Sequence, residues 1–287
     1  MNTVIEAKKL GKLFGKTVAL HSVSFSLKEN RITGLIGRNG AGKTTLLKLC
    51  AGYLSPTTGK VKIFGEEPFD NLKAGKKMIY IDERTSFGDF NNLGEIMQLV
   101  KKHYPLWDQK QADLMMELFE LDKERRLNKL SKGMKTRFKI MIGICCNADI
   151  TLLDEPAAGM DSFIRKEMYR QIIDNYMKRP RTIILSSHLL NETEKFLEDI
   201  MLIDNGNFIL YQSTESLRQH AVYLSGAKEI LEKYISDKEI LNKREFGNRF
   251  IVAIKQWMIK NDGIWLKENN VEISKVEVGD LLSFANN

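Results

Sequence analysis

The chain has 287 residues, 43% of them hydrophobic and 28% charged, with a net charge of +7 at pH 7. That length holds one large domain and one small one, with ample apolar content for a buried core. No run approaches 18 consecutive apolar residues, which excludes a membrane-spanning helix. The first ten residues carry Glu6, Lys8 and Lys9 in place of a signal-peptide core, so the chain is expected to be soluble and to stay in the cytosol. Residues 221–287 carry 10 Lys and Arg against 10 Asp and Glu, so the basic excess belongs to the first 220 residues. It gathers at Lys8, Lys9, Lys12 and Lys16, and again at Lys123, Arg125, Arg126, Lys129, Lys132, Lys135, Arg137 and Lys139. Such charge attracts nucleotide or lies near anionic lipid, but a solvated face is the commoner cause, and no nucleic-acid motif accompanies it. Cys50, Cys145 and Cys146 fall on predicted helices without metal-ligand spacing and read as small buried hydrophobes in a reducing compartment.

In chain order, extended segments are predicted over 4–8, 17–20 and 23–27, as an antiparallel subsheet ahead of an apolar strand at 32–36. Directly after that strand comes Gly37-Arg38-Asn39-Gly40-Ala41-Gly42-Lys43-Thr44, which fits the phosphate-loop pattern G-x-x-x-x-G-K-[ST] at every specified position. Glycines at 37, 40 and 42 let successive backbone N–H groups turn inward on phosphate, and a helix predicted over 45–51 adds the positive end of its dipole. Lys43 is placed to reach the β- and γ-phosphates and Thr44 to set its hydroxyl on Mg²⁺, which points to a nucleoside triphosphatase.

Strands are predicted over 61–64 and 78–82, and from about 84 to 144 the chain turns helical. There Leu114, Leu118 and Leu121 with Met115 and Phe119 form a 3.6-residue stripe. The loop Thr85-Ser86-Phe87-Gly88-Asp89-Phe90 joins this section to the sheet, and its two aromatics read either as partner contacts or as simple packing. Leu130-Ser131-Lys132-Gly133-Met134 opens a further helix. Ile150-Thr151-Leu152-Leu153 is an apolar run that ends in Asp154 and Glu155. A strand buried on both faces suits the centre of a parallel sheet, where ligands sit at the C-terminal ends. Asp154 is then placed to hold Mg²⁺, and Glu155, pointing elsewhere, to take a proton from the attacking water as a general base. A buried strand with a solvated acidic end is the bland alternative. Ala158-Gly159-Met160-Asp161 follows, and a strand over 181–187 ends at His188. Beyond about 216 a helix at 228–235, extended runs at 249–254 and 271–276, a turn at Asn261-Asp262-Gly263 and a short helix over 278–284 predict a small α+β appendage with no catalytic constellation.

Taken together, the phosphate loop, the Leu-Ser-x-Gly segment about 20 residues before the paired carboxylates, the Gly-Met-Asp after them and the strand-ending histidine resemble the ATP-binding cassette (ABC) ATPases over residues 1 to about 215. The resemblance implies an α/β P-loop core with an antiparallel β subdomain and a helical subdomain at about 84–144. The cassette domain is then 1–216 and the accessory domain 217–287. It implies ATP and Mg²⁺, with nucleotide contacts from Gly37, Arg38, Asn39, Gly40, Ala41, Gly42, Lys43, Thr44, Thr45 and Asp161. Phe14 falls where the family stacks an aromatic on adenine, with core packing as the alternative, and His188 falls where a histidine contacts the γ-phosphate and orients water, with a structural role as the alternative.

In the family, Ser131 and Gly133 of one subunit close over the γ-phosphate bound by another, so the chain is expected to pair with a copy of itself or a related subunit. Two departures stand out. Lys132 and Met134 replace the usual glycine and glutamine, and Glu83 stands where the family has a glutamine on Mg²⁺, which would strengthen metal binding or raise the Glu83 pKa. The implied function is the ATPase subunit of an exporter of peptides, bacteriocins or drugs, peripheral on the inner face of the cell membrane and paired with a separate permease. No nucleic-acid partner is expected. The alternatives are a soluble member acting on ribosomes or DNA, and a weakly hydrolysing ATP-binding partner in a heterodimer.

Overall fold

The structure is a computed structural model that describes residues 2–90, 92–188, 190–219, 221–259, 262–277 and 279–280. The chain divides into two compact units, Met1–Leu189 with Asp199–Tyr211, and Leu190–Glu198 with Gln212–Asn287. Along the first run β1 (Thr3–Phe14), β2 (Thr17–Lys28), β3 (Ile32–Ile36), α1 (Lys43–Cys50), β4 (Thr58–Ile63), α2 (Leu72–Gly75), β5 (Met78–Ile81), α3 (Leu93–His103), α4 (Gln109–Leu118) and α5 (Lys132–Cys145). They are followed by β6 (Ile150–Leu153), α6 (Ser162–Lys178), β7 (Thr182–Ser187), β8 (Asp199–Asp204) and β9 (Asn207–Ser213).

Six of these strands form one sheet in the order β5-β6-β7-β3-β8-β9. The neighbours from β5 to β8 are parallel. β3, β5, β6 and β7 are buried along their whole length, which is why they read as mostly apolar runs without in-out alternation. Parallel pairing brings their C-terminal ends to one edge. The phosphate loop after β3, Asp82 after β5, Asp154 and Glu155 after β6 and His188 after β7 are therefore neighbours in space though far apart in sequence.

A second sheet, β2-β1-β4, is antiparallel, as the sequence predicts. The three short segments expected there are parts of two twelve-residue strands. Register shifts between Ala7 and Leu10, with positive φ at Lys9 (48°) and Ser22 (52°), mark bulges that break the in-out alternation without ending the strands. Leu46, Leu47 and Leu49 of α1 join a core that includes Leu10, Leu20, Leu27 and Ile63 of this sheet and Leu35, Leu152 and Ile203 of the other.

The section expected to be helical from 84 begins as an irregular loop, and its helices start at α3. Each has a side-chain N-cap: Asn92 accepts from the Glu95 N–H, Asp108 from Gln111 and Ser131 from Met134. Cys50, Cys145 and Cys146 are buried thiols, and burial pushes Cys50 up to about 12, so it stays protonated.

The second unit contains α7 (Leu190–Thr193), α8 (Thr214–Arg218), β10 (Ala221–Ala227), α9 (Lys228–Tyr234), β11 (Ile240–Phe246), β12 (Arg249–Lys255), α10 (Gly263–Glu268) and β13 (Glu272–Lys275). Its antiparallel sheet runs β11-β12-β10-β13 around Val222, Leu224, Leu231, Phe250, Val252, Ile254 and Leu266. β10 and β11 carry no sequence expectation, because Ser225-Gly226 and Lys243-Arg244-Glu245 dilute the apolar pattern. The helix expected over 278–284 lies outside the described residues except at 279–280. No helix among the described residues is long and apolar enough to cross a membrane.

Candidate active site

The phosphate loop turns on two left-handed glycines, Gly40 (φ 83°) and Gly42 (φ 105°), the latter capping α1. It is tied down by the Ala41 N–H donating to the Arg38 carbonyl and the Gly206 N–H donating to the Ala41 carbonyl. Gly37 is needed for space, since a Cβ there would lie 2.3 Å from the Ile203 carbonyl oxygen. Arg38, Asn39, Gly40 and Thr44 are exposed and Thr45 is half-buried, at the open end of the sheet. Lys43 is buried, and its ammonium donates to the carbonyls of Gly37 (2.7 Å) and Arg38 (3.2 Å). It also lies 3.0 Å from Glu155 Oε1.

Asp154 is 8% exposed. Ser186 Oγ donates to its Oδ1 at 2.6 Å and the Tyr80 hydroxyl to its Oδ2 at 3.2 Å, so among the described residues its side-chain partners are hydroxyls and no cation. A buried carboxylate satisfied only by neutral donors is a place for a cation. Glu155 adopts a left-handed backbone (φ 48°), its N–H donates to Ser186 Oγ at 2.7 Å, and its second oxygen lies 2.8 Å from His188 Nδ1. Lys43, Glu155 and His188 are thus one cluster at the mouth of the loop.

The signature segment lies on the same unit, with Ser131 capping α5 and Gly133 open on one side, where a Cβ would meet nothing nearer than the Gly159 carbonyl oxygen at 3.7 Å. Asp161 caps α6 by accepting from the N–H groups of Phe163 and Ile164. The Ile164 bond above all holds its carboxyl below the ordinary carboxylate value. Phe14 stands at the tip of the β1–β2 hairpin, 48% exposed, with Lys12 Nζ 5.3 Å from its ring centre, so it is not core packing. Phe87 packs edge-on against buried Phe138, with ring centres 6.1 Å apart.

Glu83 is the residue expected on the metal. Its exposed carboxylate pairs with Lys132 at 2.6 Å, and that ammonium lowers its pKa. Lys139, buried in α5, donates to the Glu83 carbonyl at 2.6 Å. The residue next to the carboxylate cluster is Asp82, which shares the Tyr80 hydroxyl with Asp154, accepts from Thr85 and pairs with Lys48 of α1 at 3.2 Å. Tyr80, Asp82, Ser186 and Lys48 are not singled out by the sequence alone, and Lys139 stands out there only as one of a basic cluster. The available signal is a tyrosine and two serines interrupting otherwise apolar strands at their C-terminal ends.

The family pattern described as "ABC transporter" matches residues 20–158. The bacitracin transport ATP-binding protein of Bacillus licheniformis is 32% identical over 270 residues, covering 92% of this chain and 84% of that protein. The chain belongs to the ABC transporter family. This ABC chain is also 28% identical over 242 residues to the lantibiotic transport ATP-binding protein of Streptococcus pyogenes, covering 75% of the chain and 95% of that protein. Among solved structures, an ATP-binding cassette in a dimeric post-hydrolysis state with ADP and phosphate superposes with a TM-score of 0.63 at 21% identity, over 73% of this chain and 98% of that one. Fold and family together make this ABC chain an ATPase.

Proposed function

We propose that the chain is the nucleotide-binding subunit of an exporter, dimerising on ATP and driving a separate membrane permease from the cytoplasmic face. The observation that carries the hydrolytic part is Glu155, held between Lys43 and His188 beyond the end of β6. From there its carboxylate takes the proton of an attacking water, while His188, hydrogen-bonded to it, orients that water and the γ-phosphate. Lys43 exchanges its present carbonyl partners for phosphate oxygens.

Asp154 and the Thr44 hydroxyl are hard oxygen donors suited to Mg²⁺. Mg²⁺ characteristically takes one or two protein carboxylates together with substrate phosphates, a demand that Asp154 would meet. When bound, Mg²⁺ neutralises charge on the β- and γ-phosphate oxygens.

A groove of about 420 Å³ lined by Tyr53, Met78, Tyr80, Phe87, Val100 and Tyr104 supports the permease reading, because the loop that lines it leads back to Asp82. The names of the bacitracin and lantibiotic relatives support peptides as the cargo class. The test is a pull-down with the Glu155→Gln variant and ATP from detergent-solubilised native membranes. Recovery of a polytopic membrane protein is expected, and a second cassette chain beside it would mean a heterodimer. Ribosomal proteins, or no membrane protein, would contradict the transport reading.

A further inference from the structure

Asp154 and Glu155 are held by two side chains, Ser186 and Tyr80, to which the hydrolytic reading gives no role, and any role for them in turnover rests on that reading. Ser186 is fully buried at the C-terminal end of β7. Its hydroxyl donates to Asp154 Oδ1 (2.6 Å) and accepts the Glu155 N–H (2.7 Å), and one proton with two lone pairs satisfies both bonds at once. The second bond matters because Glu155 has φ 48°, a conformation that a side-chain-bearing residue keeps only where its surroundings hold it. With that turn in place, the Glu155 carboxylate reaches Lys43 and His188.

Tyr80 acts on the other oxygen. Its hydroxyl lies 3.2 Å from Asp154 Oδ2 and 3.1 Å from Asp82 Oδ2, so one proton serves two carboxylates. Asp82 is itself fixed by Thr85 and Lys48. Rotation of the Asp154 carboxyl would break a hydrogen bond at each oxygen.

We propose that Ser186 and Tyr80 are positioning residues for ATP hydrolysis: they clamp Asp154 at both oxygens, leaving its remaining lone pairs for a divalent cation, and Ser186 also sets the backbone that aims Glu155. Their hydroxyls bond to the carboxylate cluster and not to the phosphate loop, so nucleotide binding and hydrolysis should separate.

The experiment uses the full chain and its Ser186→Ala and Tyr80→Phe variants. Binding of a fluorescent ATP analogue is measured in EDTA, and turnover is measured at saturating ATP as Mg²⁺ is varied. Affinity in EDTA should be unchanged, while kcat falls about 10–100-fold and half-saturating Mg²⁺ rises, the usual cost of losing a group that orients a metal ligand. Ser186→Ala should lose more kcat than Tyr80→Phe, because it also frees Glu155. Tyr80→Phe removes a single oxygen and carries the test alone if Ser186→Ala does not fold. Unchanged kcat and Mg²⁺ dependence in the folded variants, beside an active wild type, would overturn the clamp alone. A wild type that binds nucleotide and never hydrolyses it would overturn the hydrolytic reading and the clamp with it.

Discussion

Gly42 carries two constraints that a residue with a side chain cannot meet: its φ is 105°, and a Cβ there would stand 2.7 Å from the Ala19 carbonyl oxygen and 2.9 Å from Leu20 Cδ2. Gly42→Ala is expected to lower stability by about 1–3 kcal/mol through backbone strain and to weaken nucleotide binding, read by thermal melting and titration with a fluorescent ATP analogue. The phosphate loop is legible in the sequence because its chemistry resides in consecutive residues. The same holds for Asp154, Glu155 and His188, which close apolar runs. Which neighbours fix them is not legible. Ser186 is the first of two serines ending β7, and only the pairing of β7 with β6, some thirty residues away in sequence, turns it toward Asp154. Family register assigns Glu83 to the metal, and its pairing with Lys132, itself a departure from the family, is a contact that the sequence does not announce.

At the scale of elements, caps and bulges explain where reading by pattern succeeds and fails. α5 begins where the signature serine caps it, and the helix is evident because capping residue and apolar stripe are both local. β1 and β2 read as shorter pieces because bulges interrupt alternation while ladder pairing continues. The Asp161 cap of α6 makes a pH prediction. Hydrogen bonds from Ile164 and Phe163 hold its carboxyl below 3.8, so it contributes stability fully above that value and loses it as pH falls through the folded-state pKa. The difference in melting temperature between wild type and Asp161→Ala should be largest near neutral pH and shrink below about pH 4. A difference that does not depend on pH would mean that the cap acts without its charge.

For the whole molecule, the two units differ in how much of them the sequence reveals. The first has a parallel sheet whose strand ends carry recognisable chemistry. The second, residues 190–198 with 212–287, contains an antiparallel sheet of strands β10 to β13, and β10 and β11 are interrupted by glycine and charge. Its α+β composition is legible, but β10 and β11 are not, since long-range pairing supplies the order that local pattern lacks. The proposed catalytic residues lie in the first unit, where Glu155 is the proposed base of an ATPase, held by Lys43 and His188. ATP turnover and ATP binding of the purified wild-type chain, compared with those of Glu155→Gln, test that role. The wild type should hydrolyse ATP, and the variant should bind it equally well while turning it over about 10²–10⁴-fold more slowly. Undiminished turnover in Glu155→Gln would contradict the assignment.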